Sequence, residues 1–332
     1  MSAVTGVRAL GAGGEPSSTT AAGTGRVGDR VFKGAAAGSG VIVIAMVTLL
    51  AVFLLSQALP SLLADKANFL TSREWNVDDT NNLRFGIAQL LYSTVAIAVM
   101  AMILAVPFAV GVALFITQYA PRRLAGPAAY LIDLLAAVPS VIYGLWGLSV
   151  FAGKVGGIGT FLQDHLGFIP LLARTDTGVA GSIFVAGIVV GIMILPIITA
   201  ISRDVFAQTP IVHREAALAL GATRWEMIRT TVLPYGRPGV ISGSMLGLGR
   251  ALGETIAITL IVSGLNTGSA FSLSIFNGGE TFASKIANNS GEFSDPAKTG
   301  AFISAGLVLF ILTFAVNALA RVIVARRRDF TE

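Results

Sequence analysis

Four long stretches of this chain carry no charged side chain, and their lengths constrain the fold more than any other feature. Residues 34–64, 85–121, 177–202 and 299–320 lack Asp, Glu, Lys and Arg over 31, 37, 26 and 22 positions. A bilayer's hydrocarbon core takes about 20 helical residues to cross, so each stretch suffices for a span. Two more segments qualify with isolated charges: 124–153 holds only Asp133, and 238–279 holds only Arg250 and Glu254. The 37-residue run is too short for two spans and a turn, and reads as one long helix with Pro107 as a candidate kink. The expected fold is an all-α polytopic membrane protein with about six transmembrane helices, near residues 40–63, 88–117, 127–152, 178–201, 239–264 and 300–322.

Composition agrees. Only 12% of the 332 residues are charged, against about a quarter in soluble domains. The chain has no cysteine, which excludes disulfides, thiolate metal sites and cysteine nucleophiles. His165 and His213 are its only histidines and read as ordinary polar surface. No G-x-x-x-x-G-K-[ST] pattern occurs, so the chain has no P-loop with which to cradle ATP.

Lys and Arg flank the spans unevenly. Fifteen fall on the side that holds both termini and the second and fourth connections, and seven on the other. Positive residues near helix ends stay cytoplasmic, so both termini are expected there. The net charge of +5 reflects this bias and gives no reason to invoke nucleic acid. Residues 1–35, rich in Gly, Ala, Ser and Thr, read as a disordered cytoplasmic tail ahead of a membrane domain over 36–332. The first apolar run is too long and too far from the start for a cleaved signal.

The fourth connection, 203–237, reads as two short helices around a glycine hinge. Thr209 is placed to cap the first helix, with Pro210 at its first position and Gly221 at its left-handed stop. Thr223 and Glu226 form a capping-box pattern for the second, which is expected to end near Pro234. Ala216 and Ala217 allow close approach, and Trp225, Met227 and Ile228 offer an apolar anchor for a partner groove. The alternative is a connector lying on anionic lipid.

The stretch EAALALGATRWEMIRTTVLP resembles the coupling loop of ATP-binding-cassette (ABC) importer permeases, with Glu215, Ala216, Ala217, Gly221, Leu233 and Pro234 on the pattern and Thr231 departing from it. LAAVPSVIYGLWGL, GRALGETIAITLIVSG, FLTSREWN and GETFASKIAN are similar to the PstC-type permeases of phosphate importers. The resemblance implies a type I importer permease (MetI-like) fold in a bacterial inner membrane. It also implies a sister PstA-type permease, two copies of a PstB-type ATPase that carry ATP and magnesium, an external PstS-type phosphate-binding protein, and phosphate as cargo. The chain itself would carry no cofactor and would not be an enzyme.

Charges inside spans are costly, which singles out three residues. Arg250 lies near the middle of the fifth expected span, and Glu254 follows at i+4. On a continuous helix they share a stripe with Gly239, Gly243 and Gly247. Such a stripe faces protein or a water-filled path, so Arg250 is a candidate contact for phosphate in transit. Glu254 would hold Arg250 and keep the anion from binding too tightly. A purely structural ion pair is the alternative. Asp133 is expected to reach the interface, Arg122 or Arg123, or a backbone amide. The long connections on the opposite side contain Trp75, Phe168, Phe276 and Phe282, a possible platform for the external binding protein or packing at the headgroup boundary. Two rival functions stay open: the same permease with sulfate or molybdate as cargo, and a proton-coupled carrier using Glu254 and Asp133.

Overall fold

A computed structural model describes residues 25–328 except 176–177, 265–271 and 294; the expected tail over 1–24 lies outside the described residues. The chain divides into two compact units, residues 1–50 and 51–332. The first unit is the leading part of helix α1 (Gly25–Ala64). Residues 25–35, expected to be disordered, are helical. Arg26, Asp29, Arg30 and Lys33 recur at helical spacing, no proline intervenes, and the following alanines favour the helix.

In the second unit, a two-stranded antiparallel hairpin, β1 (Trp75–Asn76) and β2 (Arg84–Phe85), follows α1. Helix α2 (Ala88–Leu114) extends through a π turn, Phe115–Tyr119. Helix α3 (Arg122–Ala136) ends before Pro139, and a long helix then runs from α4 (Ser140–Trp146) through a second π turn into α5 (Ala152–Leu166). The third expected span, 127–152, is therefore broken at residues 137–139. Pro139 cannot donate a backbone hydrogen bond, and it pushes Val138 away from helical geometry.

Helix α6 (Ile183–Ala207) is the centre of the unit. Against it α2 presents Ala98, Ala101, Ala105, Ala109 and Ala113, all buried. These small side chains let the backbones approach at Gly187 and Gly191, whose faces touch Met100 and Ala101. After α7 (Ile211–Ala219) and α8 (Arg224–Met227), a third π turn leads into α9 (Leu233–Leu252), followed by α10 (Ile256–Ile261), α11 (Phe282–Asn288) and α12 (Pro296–Arg328). Among the described residues, five helices are long and apolar enough to cross a membrane: Val27–Ala64, Ala88–Tyr119, Ser140–Leu166, Ile183–Ala207 and Pro296–Val322. The fifth expected span, 239–264, is not a continuous helix, because α9 stops at Leu252 and α10 restarts at Ile256.

An irregular segment, 272–281, packs beside the start of α6. Asn277 O and Ile275 O accept from the backbone N–H groups of Ile183 and Phe184 at 3.0 and 2.8 Å. Phe276 and Phe282 are fully buried, so they form core and not an exposed platform; of the four aromatics expected there, Phe168 is the one well exposed. Trp75 packs against Phe85 and Phe302. Non-helical backbone at this depth is tolerated because its hydrogen bonds close within protein.

Candidate functional site

Two regions carry the candidate residues. In the first, α7 ends in a tight turn with Gly221 at φ 86°, the one positive-φ glycine among the described residues. Such a turn needs a residue without a Cβ penalty. Thr223 then caps α8: its hydroxyl accepts from Glu226 N at 3.3 Å, and the Glu226 carboxylate accepts from Thr223 N at 2.7 Å and from its hydroxyl at 2.8 Å. These bonds, led by the backbone N–H, hold the Glu226 carboxyl below the ordinary glutamate range.

The start of α7 differs from expectation. Pro210 occupies the cap position with no side-chain cap, and the Thr209 hydroxyl is buried without a partner. The second helix does not end at Pro234. It continues through the π turn Ile228–Val232, in which Leu233 N–H bonds to Ile228 O, and passes directly into α9. The wide turn tolerates the proline ring and its missing N–H where an α-turn would not.

This turn is also a packing point. Met227, Ile228 and Val232 are buried with Ala113, Leu114 and Phe206, and Ala217 and Leu233 pack against that cluster. Met227 and Ile228 thus anchor the element to its own core and not to a partner. Glu215, Ala216, Gly221 and Pro234 are exposed. Exposed apolar side chains on or next to α7 and α8 include Ile211, Val212, Leu220 and Trp225, at 60%, 71%, 90% and 56%. The sequence pattern offered no signal for Val212 or Leu220, which stand beside the apolar Ile211 and Ala219. Beneath α7 lies a cleft of about 250 Å³ bordered by Gln118, Arg214, Glu215 and Arg224. There Arg214 Nη1 donates to Gln118 Oε1 at 3.4 Å.

The second region is the break between α9 and α10. The glycine stripe of α9 packs on α6: Gly236 on Phe206, Gly239 on Val205, Gly243 on Ile201 and Gly247 on Ile198. A Cβ at Gly239 would lie 2.2 Å from Val205 Cγ2, so the stripe is a helix contact and not an open path. Arg250 is half-buried beyond it. Among the described residues Arg250 forms no ion pair, so the expected bond to Glu254 is absent. The i+4 argument presumes unbroken helix, and Gly253 ends α9 before Glu254 is reached. Glu254, 7% exposed, instead accepts from the backbone N–H of Ala257 at 3.1 Å, stabilising the restart of α10.

Helix α10 packs against α4, where a Cβ on Gly144 would lie 2.8 Å from Ala257 Cα. The neighbouring Tyr143 donates its hydroxyl to Leu135 O at 3.0 Å. It pins the break between α3 and α4, a role its sequence did not signal. Asp133 pairs with Arg203 at 3.4 Å and not with Arg122 or Arg123, because α3 packs on α6.

Residues 105–329, which contain both regions, match the family model described as "Binding-protein-dependent transport system inner membrane component". The chain belongs to this family. It is a transport permease and not an enzyme. The permease is 53% identical over 300 residues to "Phosphate transport system permease protein PstC 2" of Mycobacterium tuberculosis, covering 90% of this chain and 92% of that protein. It is 51% identical over 297 residues to the PstC protein of Mycobacterium leprae, covering 89% and 92%. Among solved structures, the MetNI methionine ABC transporter matches 72% of this chain and 95% of its own with a TM-score of 0.52 at 14% identity, a likeness of fold. Permeases of this kind work with ATPase and permease partner subunits.

Proposed function

We propose that the permease conducts inorganic phosphate through the cytoplasmic membrane of a bacterium as one half of an ATP-driven importer, with both termini in the cytoplasm. The near-full-length relationship to phosphate transport permeases carries this reading. The partners are a PstA-type sister permease, two PstB-type ATPases that bind ATP and magnesium, and a PstS-type external binding protein.

ATP closure of the ATPases pulls on the exposed face of α7 and α8, where Glu215, Ala216 and Gly221 lie with Val212, Leu220 and Trp225. Leu233 and Pro234 pass that displacement into α9, because the π turn leaves no loop between coupling element and span. At the other end of α9, Arg250 has no carboxylate partner among the described residues and is available to an oxyanion in transit. Glu254 holds the break from which Arg250 projects and supplies the negative charge that limits how tightly the anion is held.

Co-purification tests this reading. The chain is expected to bring down an ATPase and a binding protein, and phosphate-loaded binding protein should stimulate ATP hydrolysis where sulfate and molybdate do not. Stimulation by sulfate or molybdate alone would reassign the cargo.

A further inference from the structure

Helix α1 is 40 residues long, about 60 Å at 1.5 Å per residue and twice what a hydrocarbon core requires. Residues 41–64, the predominantly apolar portion of its charge-free run, account for a crossing. Residues 25–40 extend about 24 Å beyond it. That extension is two-sided: Arg26, Asp29, Arg30 and Lys33 fall within about 100° of arc, and Val27, Val31 and Phe32 lie on the other side.

A straight continuation of the span leaves Val27, Val31 and Phe32, 69%, 66% and 77% exposed, in water. The junction supplies a way to avoid this. Gly38, Ser39 and Gly40 lie between arm and span, neither glycine has a neighbour within 4 Å, and the Ser39 hydroxyl is turned inward onto Ala36 O at 2.8 Å. Glycine–serine runs of this kind are where helices bend sharply. Three basic residues against one acid favour an anionic surface.

We propose that residues 25–37 form an amphipathic arm that bends at Gly38–Gly40 onto the adjoining leaflet, setting Arg30 and Lys33 on anionic phospholipid headgroups and Val27, Val31 and Phe32 at the acyl boundary. Only the identity of that leaflet, the cytoplasmic one, rests on the functional reading above.

The absence of cysteine makes the test direct. The full chain with Val31→Cys is labelled with an environment-sensitive fluorophore and reconstituted in phosphatidylcholine vesicles with or without phosphatidylglycerol. With phosphatidylglycerol the emission shifts to the blue and is quenched by spin-labelled lipid; without it the emission stays water-like. Arg30→Gln and Lys33→Gln each lower the docked-to-undocked ratio about fivefold. Because these changes also touch topology signals, a salt titration of the unchanged arm provides the second measurement, and raised salt releases the label. Water-like emission in phosphatidylglycerol vesicles overturns the proposal. So does a blue shift indifferent to phosphatidylglycerol, charge and salt, the outcome expected of an apolar protein partner. Labelling Val31→Cys with an impermeant thiol reagent from each side reports the leaflet separately, so a wrong orientation is told apart from a failed arm.

Discussion

The coupling element and the break between α9 and α10 sit at opposite ends of one helix, yet they stood differently in the sequence. At the coupling end the signals are local. A left-handed stop at Gly221 and a capping box at Thr223–Glu226 depend on residues within three or four positions, and both form. At the other end a regular i+4 pattern suggested an ion pair between Arg250 and Glu254, and the helix stops between them. Capping is decided by neighbours along the chain. At Gly253 the local bond from Ala257 N–H to the Glu254 carboxylate restarts the helix, but the break also depends on a distant contact, the packing of α10 on Gly144.

The largest effect is expected at Arg250. If it meets the cargo, Arg250→Ala removes a charge-assisted contact and lowers phosphate uptake about 10- to 100-fold, with complex assembly and resting ATP hydrolysis unchanged. Normal uptake would remove the break from the transport path.

A second substitution strikes the other end. Gly221→Val forces a β-branched residue into a left-handed conformation, at about 1–3 kcal/mol, and should uncouple ATP hydrolysis from uptake while insertion continues. Gly221→Asn, which tolerates that conformation, should retain most uptake. Equal behaviour of the two variants would show that the turn's geometry is irrelevant.

Between the two ends, Gly243→Leu drives a side chain into Ile201 on α6. Overpacking of this kind costs about 1–3 kcal/mol and should appear as a lower melting temperature of the purified complex. An unchanged melting temperature would mean that the α6–α9 contact is loose.

The smallest effects belong to the capping box. Thr223→Ala costs about 1 kcal/mol, read as faster hydrogen exchange over residues 224–232. The Glu226 carboxyl is held low in the folded chain, so its support is full above the ordinary glutamate value and fades as pH falls through the lowered one. Glu226→Gln should abolish that pH dependence; exchange that still tracks pH would assign it to another group.

Much of the fold was legible because burial in lipid leaves a plain mark, the charge-free run. What escaped depended on contacts between distant segments. Phe276 and Phe282 read as surface aromatics in a long connection, but the segment of Phe276 bonds to the start of α6, and Phe282 N–H bonds to Thr94 of α2. Met227 and Ile228 read as a partner's anchor, but the π turn rotates them into a core with Phe206. Tyr143 gave no signal because its role depends on Leu135 O, eight residues away across a break. Residues 25–35 read as tail by composition, and the helical spacing of their charges was the overlooked cue.

In the proposed function ATP, acting through α7 and α8, drives phosphate through this permease. The most direct test is uptake of labelled phosphate into cells or vesicles that contain the complete transporter. Under this proposal uptake is expected to stop on ATP depletion and to survive collapse of the proton gradient. Uptake that survives ATP depletion and stops when the proton gradient collapses would contradict it.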